Sequence, residues 1–175
     1  NFQALSKVLA PVIAPEETDL PPLKGVFHLA GQVDDALLPQ QTSAHFERVM
    51  AAKVKGTWHL HQLTQGVSLD HFVLFSSAAS LLGSAGQMNY AAANSFLDAV
   101  AQYRQQANLQ ALSITRGPWD GPGLAASPAV QQRLTRAGTP LIAPQRGFAL
   151  LGRILLRAPA LRRCQVAVLP GEASA

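Results

Sequence analysis

Hydrophobic positions along this chain alternate between two periods. Phe2, Leu5, Val8, Leu9 and Val12 recur at helical spacing, and Pro11 with Pro15 is expected to close that helix. The acidic, proline-rich stretch 16–23 reads as a loop. Val26 to Ala30 is a continuous apolar run of strand type, ended by Gly31 and a short polar loop holding Asp34 and Asp35. Thr42 or Ser43 can cap a long helix to about Leu63, with Phe46, Val49, Met50, Val54, Trp58 and His61 on related faces. A second buried strand, Phe72 to Phe75, is expected to stop at Ser76 and Ser77. A loop with Gly83 and Gly86 then leads into a helix from about Asn89 to Ala107. The pattern ends with a strand at Ala111 to Thr115, a short helix around Pro128 to Arg136, a helix from Gln145 to Arg157 and a strand from Cys164 to Leu169.

Strands alternating with helices at this spacing predict a parallel sheet, right-handed crossovers and helices on both faces. Ligands of such sheets bind beyond the carboxyl ends of the strands, where Gly31, Ser77 and Gly117 fall. On the helix after the second strand, Tyr90 and Asn94 stand one turn apart, beside alanines that allow close approach to the backbone. A hydroxyl at a strand end and a phenol on the next helix can thus meet at one point.

Composition narrows the choice. A chain of 175 residues with 48% hydrophobic content can bury one real core. One cysteine, Cys164, excludes an internal disulfide framework, fits a cytoplasmic setting and, in its apolar run, is expected to be a buried core thiol. No apolar run approaches the ~18 residues of a membrane span. The net charge of +4 comes largely from arginines between Arg133 and Arg163. With only 6% aromatic residues, these suit solvated helix faces better than a nucleic-acid surface. His59 and His61, two apart on one helix, cannot share a face, and His28, His45 and His71 show no ligand spacing, so no metal is implied.

Ser77, the run Gly86-Gln87-Met88-Asn89-Tyr90 and the Tyr90 to Asn94 spacing resemble the active-site region of ketoreductase domains of modular polyketide synthases, within the short-chain dehydrogenase/reductase superfamily. The resemblance extends from about Pro21 to Trp119. It implies an α/β, Rossmann-like three-layer parallel sheet, here incomplete. No Gly-rich turn opens a helix after a strand, since Gly31 is followed by Gln32, Val33, Asp34 and Asp35. The chain therefore matches the C-terminal portion of a single catalytic domain with its later strands. The Val26 to Ala30 strand is expected to present a raw edge that a second copy, the missing part or a partner would cover. The resemblance also implies a lid at about 120–140, and the tail 171–175 is expected to be disordered.

The same resemblance implies an NADPH-dependent reduction of a 3-ketoacyl thioester held on an acyl carrier protein, among other synthase domains that include the upstream ketoreductase part. Tyr90 would supply the proton and Ser77 the orienting hydrogen bond, with Lys53 and Asn94 completing the relay. In this branch the lysine and asparagine exchange the places they hold in other short-chain dehydrogenases, and Lys55, two residues from Lys53, faces elsewhere. Ala30 and Gly31 resemble the strand end against the adenosine and nicotinamide ribose, and Gly117, Pro118 and Trp119 the loop touching the nicotinamide amide. Thr115 and Arg116 depart from the family's usual Asn and Trp.

Val33-Asp34-Asp35 resembles the Leu-Asp-Asp motif of reductases giving the D-configured, B-type product. Leu82, where the opposite class tends to carry Trp, and Gln87 agree with it. On their own residues, Asp34 and Asp35 are equally readable as loop-solvating groups. Ala92 lacks the proline associated with epimerised substrates, which favours an unbranched or non-epimerised one. Two alternatives stand beside this reading: a fatty acid synthase ketoreductase, and a non-catalytic structural piece, because these residues alone lack a grip on the pyrophosphate. The piece alone is expected to be inactive.

Overall fold

The computed structural model describes residues 1–14, 19–121, 123, 126–136, 138–161 and 163–170. Four parallel strands form one sheet in the order β1 (Gly25–His28), β2 (His71–Ser77), β3 (Leu112–Arg116) and β4 (Gln165–Val168). The connections are α2 (Ser43–Met50), a π-helical turn at Ala51–Lys55 and α3 (Gly56–Thr64) between β1 and β2; α4 (Ala79–Leu82) and α5 (Met88–Gln106) between β2 and β3; α6 (Pro128–Arg136) and α7 (Pro144–Leu161) between β3 and β4. A leading helix, α1 (Phe2–Ile13), packs on α3, with the Phe2 ring 5.3 Å from that of His59.

Alternation along β2 creates two cores. Phe72 and Leu74 point to one side, where they meet Leu97, Val100 and Ala101 of α5, while Val73 and Phe75 point to the other, against Leu151, Ile154 and Leu155 of α7. The result is the three-layer α/β architecture expected from the pattern. The crossovers are less uniform than expected. All step the same way across the sheet, yet α2, α3 and α5 lie on one face and α7 on the other. The α7 connection is therefore of the opposite hand to the two before it and departs from the usual right-handed rule.

Several element bounds differ from the sequence reading, each for a physical reason. Pro11 lies inside α1, because a proline near a helix end forfeits only one bond and the Ala14 N–H still closes on the Ala10 carbonyl at 3.0 Å. The partner expected to help close it, Pro15, lies outside the described residues, as does the tail 171–175. β1 ends at His28, leaving Leu29 and Ala30 exposed. The carbonyl of Phe75, the first β2 residue past the β1 ladder, accepts a hydrogen bond from Lys53 Nζ instead (3.0 Å). β2 runs through both serines, which pair with Thr115 and Arg116 of β3, and buried Ser76 donates to the Asn94 carbonyl (3.3 Å). The turn that follows is helical, at α4.

Cys164 precedes β4 and is half-buried against the α5-side core rather than enclosed in it. Arg104 on α5 is a buried cation. It lies 3.8 Å over the Phe72 ring and donates to the Gln110 carbonyl (3.0 Å) and Thr64 Oγ1 (3.3 Å), and burial lowers its pKa to about 10. No helix among the described residues is long and apolar enough to cross a membrane, and no group of three or more potential metal ligands occurs among them.

Candidate active site

A cleft of about 270 Å³ opens beyond the carboxyl ends of β2 and β3. Ser77, Tyr90, Arg116 and Trp119 form its floor and one wall, Leu82 its α4 side, and Val130 its α6 side.

Lys53 reaches this region from the long helix. It sits in the π-helical turn, where the Gly56 N–H reaches back to the Ala51 carbonyl, and such widened turns commonly mark functional sites. The side chain is only 3% exposed, whereas Lys55 is exposed on another face. Its ammonium lies 5.6 Å from the centre of the Tyr90 ring. Gly31 makes this path possible, because a Cβ there would stand 2.9 Å from Lys53 Cε. Burial lowers the Lys53 pKa to about 8, the Arg116 charge adds to the effect, and the Asp98 carboxylate opposes it. His28, beneath the same lysine, is buried with its Nε2 3.2 Å from the Ala52 carbonyl oxygen; burial and then Lys53 lower its pKa.

Tyr90 is fixed by the head of α5. Its N–H donates to Asn89 Oδ1 (2.8 Å), and fully buried Asn89 uses its amide to grip the carbonyls of Asp34 (2.9 Å) and His45 (3.2 Å). Gly86, at φ 76°, makes the turn that precedes the helix, and its carbonyl accepts from the Ala36 N–H (2.9 Å). Asn94, one turn along, donates to the Tyr90 carbonyl (2.7 Å), while its buried Oδ1 has no partner among the described residues. A buried acceptor of that kind calls for a donor from solvent or ligand. Ser77 Oγ accepts from the Ala79 N–H (3.2 Å), which leaves its own hydrogen free for the cleft.

The remaining sequence candidates separate into two groups. Asp35, Leu82 and Gln87 adjoin the cleft: Gln87, 4% exposed, donates from Nε2 to both Asp35 oxygens (3.0 and 3.2 Å), and Leu82 stands at the rim, 73% exposed. Gly117, Pro118 and Trp119 line it too. The departure at Arg116 is accommodated with its guanidinium 5.7 Å from the Trp119 ring. Ala30 and Gly31 are not brought to the cleft wall; Gly31 acts through Lys53, and Ala30 is exposed nearby.

The sequence reading missed the support beneath this site. Asp98, one turn beyond Asn94, accepts hydrogen bonds from Ser80 (2.7 Å), Ser113 (2.5 Å) and Thr115 (3.3 Å), tying α5 to α4 and β3. Its position on the Asn94 face of α5 was the available signal.

The KR domain family model matches residues 4–121, more than half of the chain. The chain belongs to the KR domain family. It is 46% identical over 137 residues to the spectinabilin polyketide synthase system protein NorB of Streptomyces orinoci, covering 77% of this chain and 6% of that protein. To the mycoketide-CoA synthase of Mycobacterium tuberculosis it is 48% identical over 120 residues, covering 67% and 3%. Among solved structures it resembles an A-type ketoreductase from a modular polyketide synthase (TM-score 0.87, 36% identity, 98% of this chain and 34% of that one). The first ketoreductase of the tylosin synthase is similar as well (TM-score 0.78, 39% identity, 97% and 34%). This KR chain thus spans under a tenth of those synthases and about a third of those ketoreductase chains.

Proposed function

We propose that this chain carries the catalytic end of an NADPH-dependent ketoreductase that reduces a 3-ketoacyl thioester, carried by an acyl carrier protein, to the D-configured 3-hydroxyacyl product. The observation that carries the reading is the buried Lys53 ammonium beside the ring of Tyr90, which lines the cleft together with Ser77. Ser77 donates a hydrogen bond to the ketone oxygen and holds it against the phenol. Tyr90 delivers its proton to that oxygen as negative charge develops there, and the Lys53 charge stabilises the phenolate left behind. Asn94 holds the backbone of the turn bearing Tyr90 and offers its unpaired Oδ1 to whatever donor completes the proton path.

The residues present fit the nicotinamide end of the cofactor. Lys53 and Tyr90 would hold the ribose and the Gly117 to Trp119 segment the amide, and the nicotinamide supplies the hydride when bound. Among the described residues no Gly-rich turn joins a strand to a helix, since β1 runs into Gln32 to Asp35. That favours a second reading for the isolated chain, a non-catalytic structural part until further residues provide the pyrophosphate grip. The Val33-Asp34-Asp35 run, Leu82 and Gln87 support the D configuration, and α6, over the cleft, acts as the lid expected at residues 120–140, of which 122, 124, 125 and 137 lie outside the described residues.

Tyr90→Phe in the complete reductase tests the reading. Reduction of a β-keto thioester is abolished while fluorescence titration still detects NADPH binding; retained turnover would show that another group is the acid.

A further inference from the structure

Arg116 ends β3 directly beside Ser77. The two are partners in the β2–β3 register, so their side chains leave the same face of the sheet one strand spacing apart, ~4.8 Å, and both line the cleft. The stem of Arg116 lies along a small cavity with Phe75, Ile114 and Trp119, and its guanidinium is 5.7 Å from the Trp119 ring. The charged head is not used up by the protein. Its one hydrogen bond among the described residues, from Nη1 to the Gly117 carbonyl, is long at 3.5 Å, and no carboxylate among them pairs with it. The other cations around the cleft are engaged: Lys53 donates to the Phe75 carbonyl, and Arg133 pairs with Asp35. Burial lowers the Arg116 pKa and Tyr90 opposes that shift, so the guanidinium stands within electrostatic reach of Tyr90.

A half-buried guanidinium whose planar fork of N–H donors is mostly idle is suited to a carbonyl or carboxylate oxygen brought in by a bound molecule. A 3-ketoacyl thioester carries such an oxygen. It is a β-dicarbonyl, and once Ser77 and Tyr90 hold the ketone oxygen, the thioester oxygen falls beside it, where the neighbouring strand ends in Arg116. We propose that Arg116 donates to the thioester carbonyl oxygen, so that Ser77 and Arg116, side by side on β2 and β3, grip both oxygens of the substrate. This deepens the ketoreductase reading of the cleft and rests on it. Arg116 is then the residue by which the site recognises a β-keto thioester rather than a ketone of any kind. Held at both oxygens, the acyl group loses rotation about the bonds between its carbonyls, and the ketone stays in place beside Tyr90.

The test compares, in the complete reductase, a β-keto thioester with the matching keto thioether, in which a methylene replaces the thioester carbonyl. Trp119 adjoins Arg116, so quenching of tryptophan fluorescence reads the Kd of each compound without turnover, and kcat/KM reads the reaction. The unsubstituted protein is expected to prefer the thioester about tenfold or more in both measurements, as befits a hydrogen bond from a charged group. Arg116→Gln brings that preference close to unity, and Arg116→Lys, which keeps a charged donor, retains part of it. Removing the guanidinium and removing the thioester carbonyl delete the same bond, so the two losses do not add. An unsubstituted protein that does not distinguish the two compounds overturns the inference, and that comparison needs no variant to fold. An undiminished preference in Arg116→Gln overturns it as well, whether or not turnover of both compounds falls together. Absence of Tyr90-dependent reduction in the unsubstituted protein would sink the ketoreductase reading separately, and the Kd values would still decide whether Arg116 holds the thioester carbonyl.

Discussion

The ammonium of Lys53 lies 5.6 Å from the centre of the Tyr90 ring, and it reaches that point only because Gly31 lacks a side chain. On the proposed function, this pair separates a reductive site from an ordinary polar cleft. Lys53→Gln is expected to lower turnover of the complete reductase by about 100-fold or more, in the range removed with a proton-transfer partner. Lys55→Gln, on the exposed face, serves as the matched control and leaves turnover unchanged. Equal losses in both variants would show that helix charge matters and position does not.

The contact at Gly31 gives a second expectation. An added Cβ would collide with Lys53 Cε, the far part of a flexible side chain, so the lysine can move aside without disturbing the backbone. Gly31→Ala should therefore cost little stability while displacing the charge from Tyr90. A melting temperature within a few degrees of the parent, with turnover sharply reduced, is the expected pair of results. A large drop in melting temperature would mean that the collision is carried by the strand end.

The lowered pKa of Lys53 predicts opposite trends in activity and stability. Its folded value of about 8 lies below the ordinary 10.5, so the unfolded chain binds more protons between those limits. The contribution of this group to stability is smallest below the folded pKa, where the fold must bury the charged form, and it rises as pH increases from about 8 toward 10.5. Turnover falls over the same span as the ammonium is lost. Urea titrations and rate profiles from pH 7 to 10 check both slopes, and Lys53→Met removes the upward stability component. Arg116→Trp, which removes a neighbouring positive charge, moves the alkaline limb of the rate profile upward.

Asp98→Ala should destabilise the chain. It leaves the Ser113 hydroxyl without its acceptor, whereas Ser80 still donates to the Ser77 carbonyl (2.9 Å) and Thr115 still accepts from Gln165 Nε2 (2.9 Å), so the loss is of order 1–3 kcal/mol at the typical cost of an unsatisfied buried group. Urea denaturation gives the figure, and a loss below about 0.5 kcal/mol would mean that solvent replaces the carboxylate at little cost.

The sequence was most informative where local periodicity and chemistry coincide. The Phe72 to Phe75 run identified the central strand, and the spacing of Tyr90 and Asn94 identified the face of α5 that looks toward the strand ends. The end of β1 was less legible because Lys53 occupies the Phe75 carbonyl, a contact that no local pattern encodes, and the end of β2 because Ser76 and Ser77 pair with Thr115 and Arg116 of β3. Ser80, Ser113 and Thr115 each read as unremarkable turn or strand residues, and only the fold brings them onto Asp98. The Arg133 to Asp35 pair was hidden by sequence distance. The hand of the α7 connection was hidden for a different reason. Crossover handedness follows from which face a helix covers, and the amphipathic pattern of α7 fits either face.

That reversed connection governs how the site can change. The chain leaves β3 at Arg116, passes through Trp119, which bridges to Ile142, and forms α6 before α7 descends on the far layer. The described parts of that stretch, Trp119 and α6, line the cleft on the route between layers, and on the proposed function they roof the reacting centre. Substitutions or length changes there can reshape substrate choice while the sheet beneath keeps its register, which makes this stretch the natural place for related reductases to diverge.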